Sequence, residues 1–384
     1  MGESEPQGFR ALVGNIGMKD DRDDYAVVVS DVPTVSAAVF TRSRFAGPSV
    51  VLGRETAAGH DACGVVVLAR NANVATGAEG LANAREVRSL AASAASVDEQ
   101  ALLIASTGVI GQQYPMTRIR ARLGHPAQPF PPADYDRVAA AMMTTDTHPK
   151  VVRATCGAAS VVGVAKGVGM IEPNMATLLA FFFTDAGLDA AELDRIFRAV
   201  IDRTFNAVSI DTDTSTSDTA AIFANGLAGP TDPAAFSAAL EDAARRLVRM
   251  IARDGEGASK LIEVYVTGAR DDHQAKRAGK AIVNSPLVKT AVHGADPNWG
   301  RVAMAIGKLE DDHDIHPEQV RIGFGDREVY PGAASPQALA DLARYLRGDT
   351  VHITADLGIA EGSFTVYGCD LTDGYIRINA DYTT

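Results

Sequence analysis

Residues 166–184 read KGVGMIEPNMATLLAFFFT. The first part, Lys166 to Ala176, is punctuated by Gly167, Gly169 and Pro173, residue types that turn the backbone sharply or let it approach another group closely. The second, Leu178 to Thr184, is a short apolar run containing Phe181, Phe182 and Phe183, the pattern of a strand buried on both faces. Thr177 stands at the junction, and Ala176 leaves little bulk beside its hydroxyl. A threonine hydroxyl is a weak nucleophile near neutral pH unless a base sits beside it, and a free α-amine on the same residue supplies one. That solution requires cleavage of the Ala176–Thr177 bond. On these residues alone, the plainer reading is a β-branched side chain that opens a buried strand.

Outward from this segment, the N-terminal half reads as short β runs at 25–30, 35–41, 49–53, 64–69 and 102–107. The Pro-rich stretch 125–134 cannot hold a helix or a central strand and is predicted as a surface loop. Downstream, Asp189 with Glu192 opens a helix whose Leu193, Ile196, Phe197, Val200 and Ile201 share one face. Asp232-Pro233 and Ser335-Pro336 open two more, with Gly255 and Gly348 as stops. Residues 261–268, 320–325, 351–357, 364–370 and 375–379 are predicted strands. Strands and helices intermingle without strict alternation, which predicts an α/β fold of layered mixed sheets with flanking helices.

The chain has 384 residues, and 36 Lys and Arg against 48 Asp and Glu give a net charge of −12. Its 46% hydrophobic and 22% charged content is globular and excludes a disordered chain. The acidic balance lacks the footprint of a general nucleic-acid binder, and an anionic substrate would need a local Lys or Arg. No run of 18 apolar residues is present, so no membrane-spanning helix is expected. The opening MGESEPQGFR lacks the apolar core of a secretory signal, and Cys63, Cys156 and Cys369 are isolated from one another. Both point to a cytoplasmic protein with reduced thiols. There is no P-loop, no G-x-S-x-G elbow, and Glu172 stands where a dinucleotide fingerprint begun by Gly167 and Gly169 needs its third glycine. His313 and His316 fit a solvated acidic loop, and Asp211, Asp213 and Asp218 lack the glycine and terminal glutamate of a calcium loop. Neither a metal nor a cofactor is expected.

The core KGVGMIEPNMAT resembles the self-processing ornithine acetyltransferase (glutamate N-acetyltransferase) family, whose hallmark is a K-G-x-G-M-I-x-P-N-M-A-T segment cut before the threonine. The resemblance extends over nearly the whole chain. It includes STGVIG at 106–111, TTDT at 144–147, NAVSIDTD at 206–213, DGEG at 254–257, VHGADPNWGR at 292–301 and the C-terminal residues 379–384. The acidic Glu172 makes it most similar to the members found in antibiotic clusters such as that for clavulanic acid.

The resemblance implies a chain cut into an N-terminal α chain, 1–176, and a C-terminal β chain, 177–384, that assemble further as an oligomer. It implies that Thr177 attacks first its own peptide bond and then the acetyl group of N-acetylornithine, which passes to glutamate without a cofactor, in arginine or antibiotic biosynthesis. Thr107 and Gly108 match the oxyanion-hole pair, whose donors stabilise the tetrahedral intermediate. Lys166, Thr144 or Thr145, Glu256, Asn379 and Thr384 match substrate-contacting positions. Glu256 would hold the amine end of an ornithine-like substrate. Spacing does not separate Thr144 from Thr145. Two other readings stand beside transfer: a self-processing aminopeptidase or amidase using the same Thr177, and an unprocessed binding protein in which Thr177 is structural.

Overall fold

Alternation along the apolar strands decides the layering. The computed structural model describes residues 5–124, 129–172, 178–332 and 335–381. The strands of the first half are β1 (Phe9–Gly14), β2 (Tyr25–Ser30), β3 (Val35–Phe40), β4 (Gly64–Leu68) and β5 (Leu102–Ser106). Next come β6 (Lys150–Cys156), β7 (Ala159–Lys166), β8 (Leu179–Thr184) and β9 (Thr219–Ala224). The last group is β10 (Leu261–Ala269), β11 (Arg321–Phe324), β12 (Arg327–Tyr330), β13 (Thr350–Asp356) and β14 (Gly362–Cys369).

They form three mixed sheets, ordered β1-β2-β4-β5, β3-β9-β8-β7-β6 and β12-β11-β13-β10-β14. In the second sheet only β8 and β9 run parallel; the other neighbours are antiparallel. Because side chains alternate along a strand, each of the first two sheets feeds two cores. Ala26, Val28, Val65 and Val67 of the first sheet meet Val162, Val164, Phe181, Phe183 and Phe223 of the second. The intervening Val27, Val29, Val66 and Leu68 face Ala84, Val87 and Ala91 on the helix Gly77–Ala95. On the far face of the second sheet, Ala180 and Phe182 pack on Phe197, Phe236 and Leu247 from the helices Ala190–Arg203 and Pro233–Arg253. The result is a helix–sheet–sheet–helix sandwich. Each fully buried phenylalanine contributes about 1.5–3 kcal/mol by leaving water. The third sheet builds its own core with the helices Asp272–Val283, Pro286–His293 and Trp299–Ile306. It joins the sandwich through β14, whose Tyr367 and Cys369 lie in the main core and whose Tyr367 carbonyl accepts the Ser209 amide at 2.8 Å.

The predicted α/β class holds, and Asp189, Asp232 and Ser335 each cap a helix as expected. Two predicted strands are helical instead. Residues 49–53 lie in the helix Pro48–Ala57, because Pro48 occupies the first helical turn, where its missing N–H costs nothing. Its buried Ser49, Leu52, Gly53 and Thr56 recur at helical spacing, while Val51 is 38% exposed. Residues 375–379 lie in the helix Asp373–Asp381. The alternation of YIRIN suggested a strand, but Asp373 and Arg377 pair one turn apart at 2.6 Å and neither Ile376 nor Ile378 is buried. Of the predicted Pro-rich loop, 125–128 lie outside the described residues, and Pro132 makes a lone bridge to Arg10. Among the described residues no helix is long and apolar enough to cross a membrane.

Candidate active site

The sandwich brings six separate stretches of sequence to one end of the second sheet. Lys166 closes β7 directly opposite Leu179, which opens β8. The chain between them turns through Gly167 and Gly169. Ala176 and Thr177 fall outside the described residues, as does Thr384. The description resumes at Leu178, whose carbonyl accepts the Thr219 amide at 3.0 Å and so aligns β8 with β9. That pairing brings Ser215, Thr216, Ser217 and Asp218 alongside. Thr107 and Gly108 follow the end of β5. These groups, with Thr144, Thr145, Glu256 and Asn379, line a single cavity that Leu178 also borders. Every described residue singled out from the sequence for the site therefore faces the same space. The hydroxyl-rich 215–218 segment forms part of the wall.

Thr107 and Gly108 are held by the neighbouring strand's continuation. The Thr107 amide donates to Leu68 O and the Val109 amide to Arg70 O, both at 3.1 Å. Gly108 has φ +131°, and a Cβ there would sit 2.2 Å from the Arg70 carbonyl carbon, so only glycine fits. With its amide committed, Thr107 has its hydroxyl left for the cavity that it and Gly108 both line. The Thr107 hydroxyl oxygen accepts from the Lys166 ammonium at 3.4 Å, which leaves the hydroxyl proton available to an oxyanion.

Lys166 is not a surface residue; only 8% of it is exposed. Burial lowers its pKa from the usual lysine value, opposed chiefly by Asp146 and, more weakly, by Asp218 and Glu256. Burial pushes the Asp146 carboxyl up, but Lys166, Lys150 and the Gly167 amide outweigh it and hold the group well below the usual carboxylate range. Asp146 ties together the two loops that supply the cavity: its carboxylate accepts from the Gly167 amide at 2.8 Å and the Thr144 amide at 3.0 Å.

Glu256 follows the helix Pro233–Arg253, anchored by its own amide to Val168 O at 2.8 Å. Its carboxylate accepts from the Thr145 hydroxyl at 2.9 Å and from Asn379 Nδ2 at 3.0 Å. Gly169 leaves the room for this approach, since a Cβ there would meet a Glu256 carboxylate oxygen at 2.4 Å. The structure thus distinguishes the two threonines: Thr145 holds Glu256, whereas Thr144 is tied through its backbone to Asp146 and to Arg70 at 3.2 Å. A buried ammonium and a carboxylate on the walls of one cavity suit a ligand that carries both charges.

The remaining motifs are structural. Asp211 accepts the Met170 amide at 2.7 Å and the Ile171 amide at 2.8 Å, fixing the turn that leads toward Glu172. Glu172 itself is held by Lys280 at 3.2 Å and Asn284 at 3.1 Å. In VHGADPNWGR, Asn298 caps the helix Trp299–Ile306, Trp299 stacks on Tyr330 with centroids 4.8 Å apart, and Arg301 donates to Leu287 O at 2.7 Å. Sequence reasoning missed Lys150 and its two carboxylate partners. Asp146 and Lys150 at i, i+4 look like an ordinary exposed pair, and nothing in the spacing says that they are buried.

The sequence matches the ArgJ family over residues 10–384. It is 64% identical over 385 residues to "Glutamate N-acetyltransferase Oat2" of Streptomyces clavuligerus, covering 99% of this chain and 98% of that protein. It is 54% identical over 387 residues to "Arginine biosynthesis bifunctional protein ArgJ" of Rhodococcoides fascians, covering 100% of this chain and 96% of the relative. Among solved structures, the arginine biosynthesis bifunctional protein ArgJ of Bacillus halodurans is 41% identical with a TM-score of 0.48, over 52% of this chain and 96% of that one.

Proposed function

The chain belongs to the ArgJ family, and from that premise we propose that Thr177 carries acetyl groups from N-acetylornithine to glutamate after cutting its own chain. The Thr177 hydroxyl attacks the Ala176 carbonyl, the amide nitrogen takes the proton and leaves, and water hydrolyses the resulting ester. The freed α-amine then serves as base for the same hydroxyl. In the first half-reaction Thr177 Oγ attacks the acetyl carbonyl of N-acetylornithine, and ornithine departs with the transferred proton. In the second, the glutamate amine attacks the acetyl-threonine ester and regenerates the hydroxyl. The Thr107 hydroxyl and the Gly108 amide stabilise the oxyanion in each step.

Lys166 takes the substrate's α-carboxylate by a charge-assisted bond, and Glu256 the distal ammonium of the ornithine moiety. Thr145 and Asn379 support this recognition by orienting Glu256, with Thr144 beside them and Thr384 as a further contact. The observation that carries the reading is convergence: residues from the turn after β5, the 144–147 segment, β7, the 254–257 turn and the helix Asp373–Asp381 meet at one cavity bordered by Leu178, the residue after the proposed nucleophile. The opposed charges of Lys166 and Glu256 favour an amino-acid acceptor over water, hence transfer over hydrolysis.

The mature protein is then an α chain, 1–176, and a β chain, 177–384, that stay together and assemble further in the cytoplasm, serving arginine synthesis. The test is a pair of variants. Wild type and Thr177→Ser separate into two bands on denaturing electrophoresis, whereas Thr177→Ala stays one chain and transfers no acetyl group. A single full-length band for active wild-type protein refutes the mechanism.

A further inference from the structure

A buried ionic cluster behind the cavity has no task in the chemistry above. Residues 143–149 are not helical and lead into β6, so the side chains of Asp146 and Lys150 turn inward together. The Lys150 ammonium lies 2.8 Å from Asp146 Oδ1 and 2.6 Å from Asp254 Oδ2, and all three side chains are almost wholly excluded from water. Buried charges persist only when paired and hydrogen-bonded, and here each carboxylate has further donors. Asp254 accepts from the Thr147 amide at 3.1 Å and from the Thr147 hydroxyl. Asp146 accepts from the Gly167 and Thr144 amides.

Asp146 is therefore shared. On one side stands Lys150; on the other, Asp146 accepts the amide of Gly167, next to Lys166, whose charge it attracts and whose ammonium reaches Thr107 at 3.4 Å on the cavity wall. Whatever part of the Asp146 charge Lys150 does not neutralise acts on Lys166. We propose that Lys150, by bridging Asp146 and Asp254, is a positioning residue for substrate recognition: it keeps the Lys166 ammonium turned to Thr107 and the cavity, ready for an amino-acid carboxylate. Loss of Lys150 leaves Asp146 to draw Lys166 back into the cluster. Asp254 works in the opposite sense, because it diverts Lys150 from Asp146. The inference rests on the proposed role of Lys166 as carboxylate binder.

Charge reversal of the effect separates this role from a structural one. KM for N-acetylornithine and for glutamate is measured for Lys150→Met, Asp254→Asn, the double variant and Lys166→Met, alongside kcat. Lys150→Met raises both KM values roughly tenfold, the scale of one weakened charge-assisted hydrogen bond, with a smaller change in kcat. Asp254→Asn lowers them. The double variant removes one charge of each sign, so it stays folded even if Lys150→Met alone does not, and it too raises KM. A merely structural cluster would move Lys150→Met and Asp254→Asn the same way, and that result overturns the proposal. So does a double variant with wild-type KM while Lys166→Met raises it, which leaves the Lys166 role standing. If Lys166→Met itself binds both substrates normally, the carboxylate reading fails and this inference falls with it.

Discussion

Replacing Thr107 by valine exchanges one hydroxyl for a methyl of nearly equal size. The backbone bonds that shape the loop, Thr107 N to Leu68 O and Val109 N to Arg70 O, do not involve that hydroxyl. Gly108 keeps its φ of +131° and its fit against Arg70. The substitution therefore deletes one of two proposed oxyanion donors together with the hydroxyl that the Lys166 ammonium reaches at 3.4 Å. Loss of one such donor lowers kcat by roughly 10²–10³, equivalent to about 2.7–4 kcal/mol. The lower end applies here, because the Lys166 ammonium, 3.4 Å from the deleted oxygen, stays near the developing charge. Steady-state transfer from N-acetylornithine to labelled glutamate gives kcat. Intact-mass detection of the acetylated β chain after rapid mixing gives the rate of the first half-reaction. Both fall together, and the fall in kcat exceeds any rise in KM. Transfer at the wild-type rate, or an effect confined to KM, refutes the assignment of Thr107.

Glu256→Gln keeps the hydrogen bonds to Thr145 and Asn379 within reach but removes the negative charge. It raises KM for N-acetylornithine by roughly tenfold or more, as expected for a lost charged partner, and raises KM for glutamate far less. Equal effects on the two substrates would show that Glu256 does not read the distal ammonium. Phe182→Ala empties a fully buried site between the second sheet and its helices. The loss is about 3–5 kcal/mol, read as a lower thermal midpoint, and an unchanged midpoint would contradict the packing described.

What the sequence disclosed and what it hid follow from the physics of each signal. The runs at 25–30 and 179–184 are unambiguous because burial on both faces of a sheet demands uninterrupted apolar residues. The run at 49–53 is just as apolar, yet Pro48 makes it a helix; over five residues hydrophobicity does not separate the two periods. Residues 375–379 misled for the converse reason, since their alternation serves no buried face. At the site, Thr107, Lys166, Glu256 and Asn379 lie far apart in sequence, and only resemblance to a family grouped them. The Asp146–Lys150–Asp254 cluster escaped notice because burial is a property of the assembled layers, not of spacing.

The antiparallel pairing of β7 with β8 has a consequence for how such a protein is made. The proposed cut falls in the loop joining these two central strands, whose ladder runs from Val161 opposite Thr184 to Lys166 opposite Leu179. While the loop is intact, the strands meet at an effective concentration on the order of millimolar, and the sheet closes as an intramolecular event. Two halves synthesised separately would each expose one raw edge of that sheet, lined with Val162, Val164, Phe181 and Phe183, and would find each other only by collision. The peptide link that processing destroys thus acts beforehand as a built-in folding tether. Its removal is harmless only once the ladder has formed.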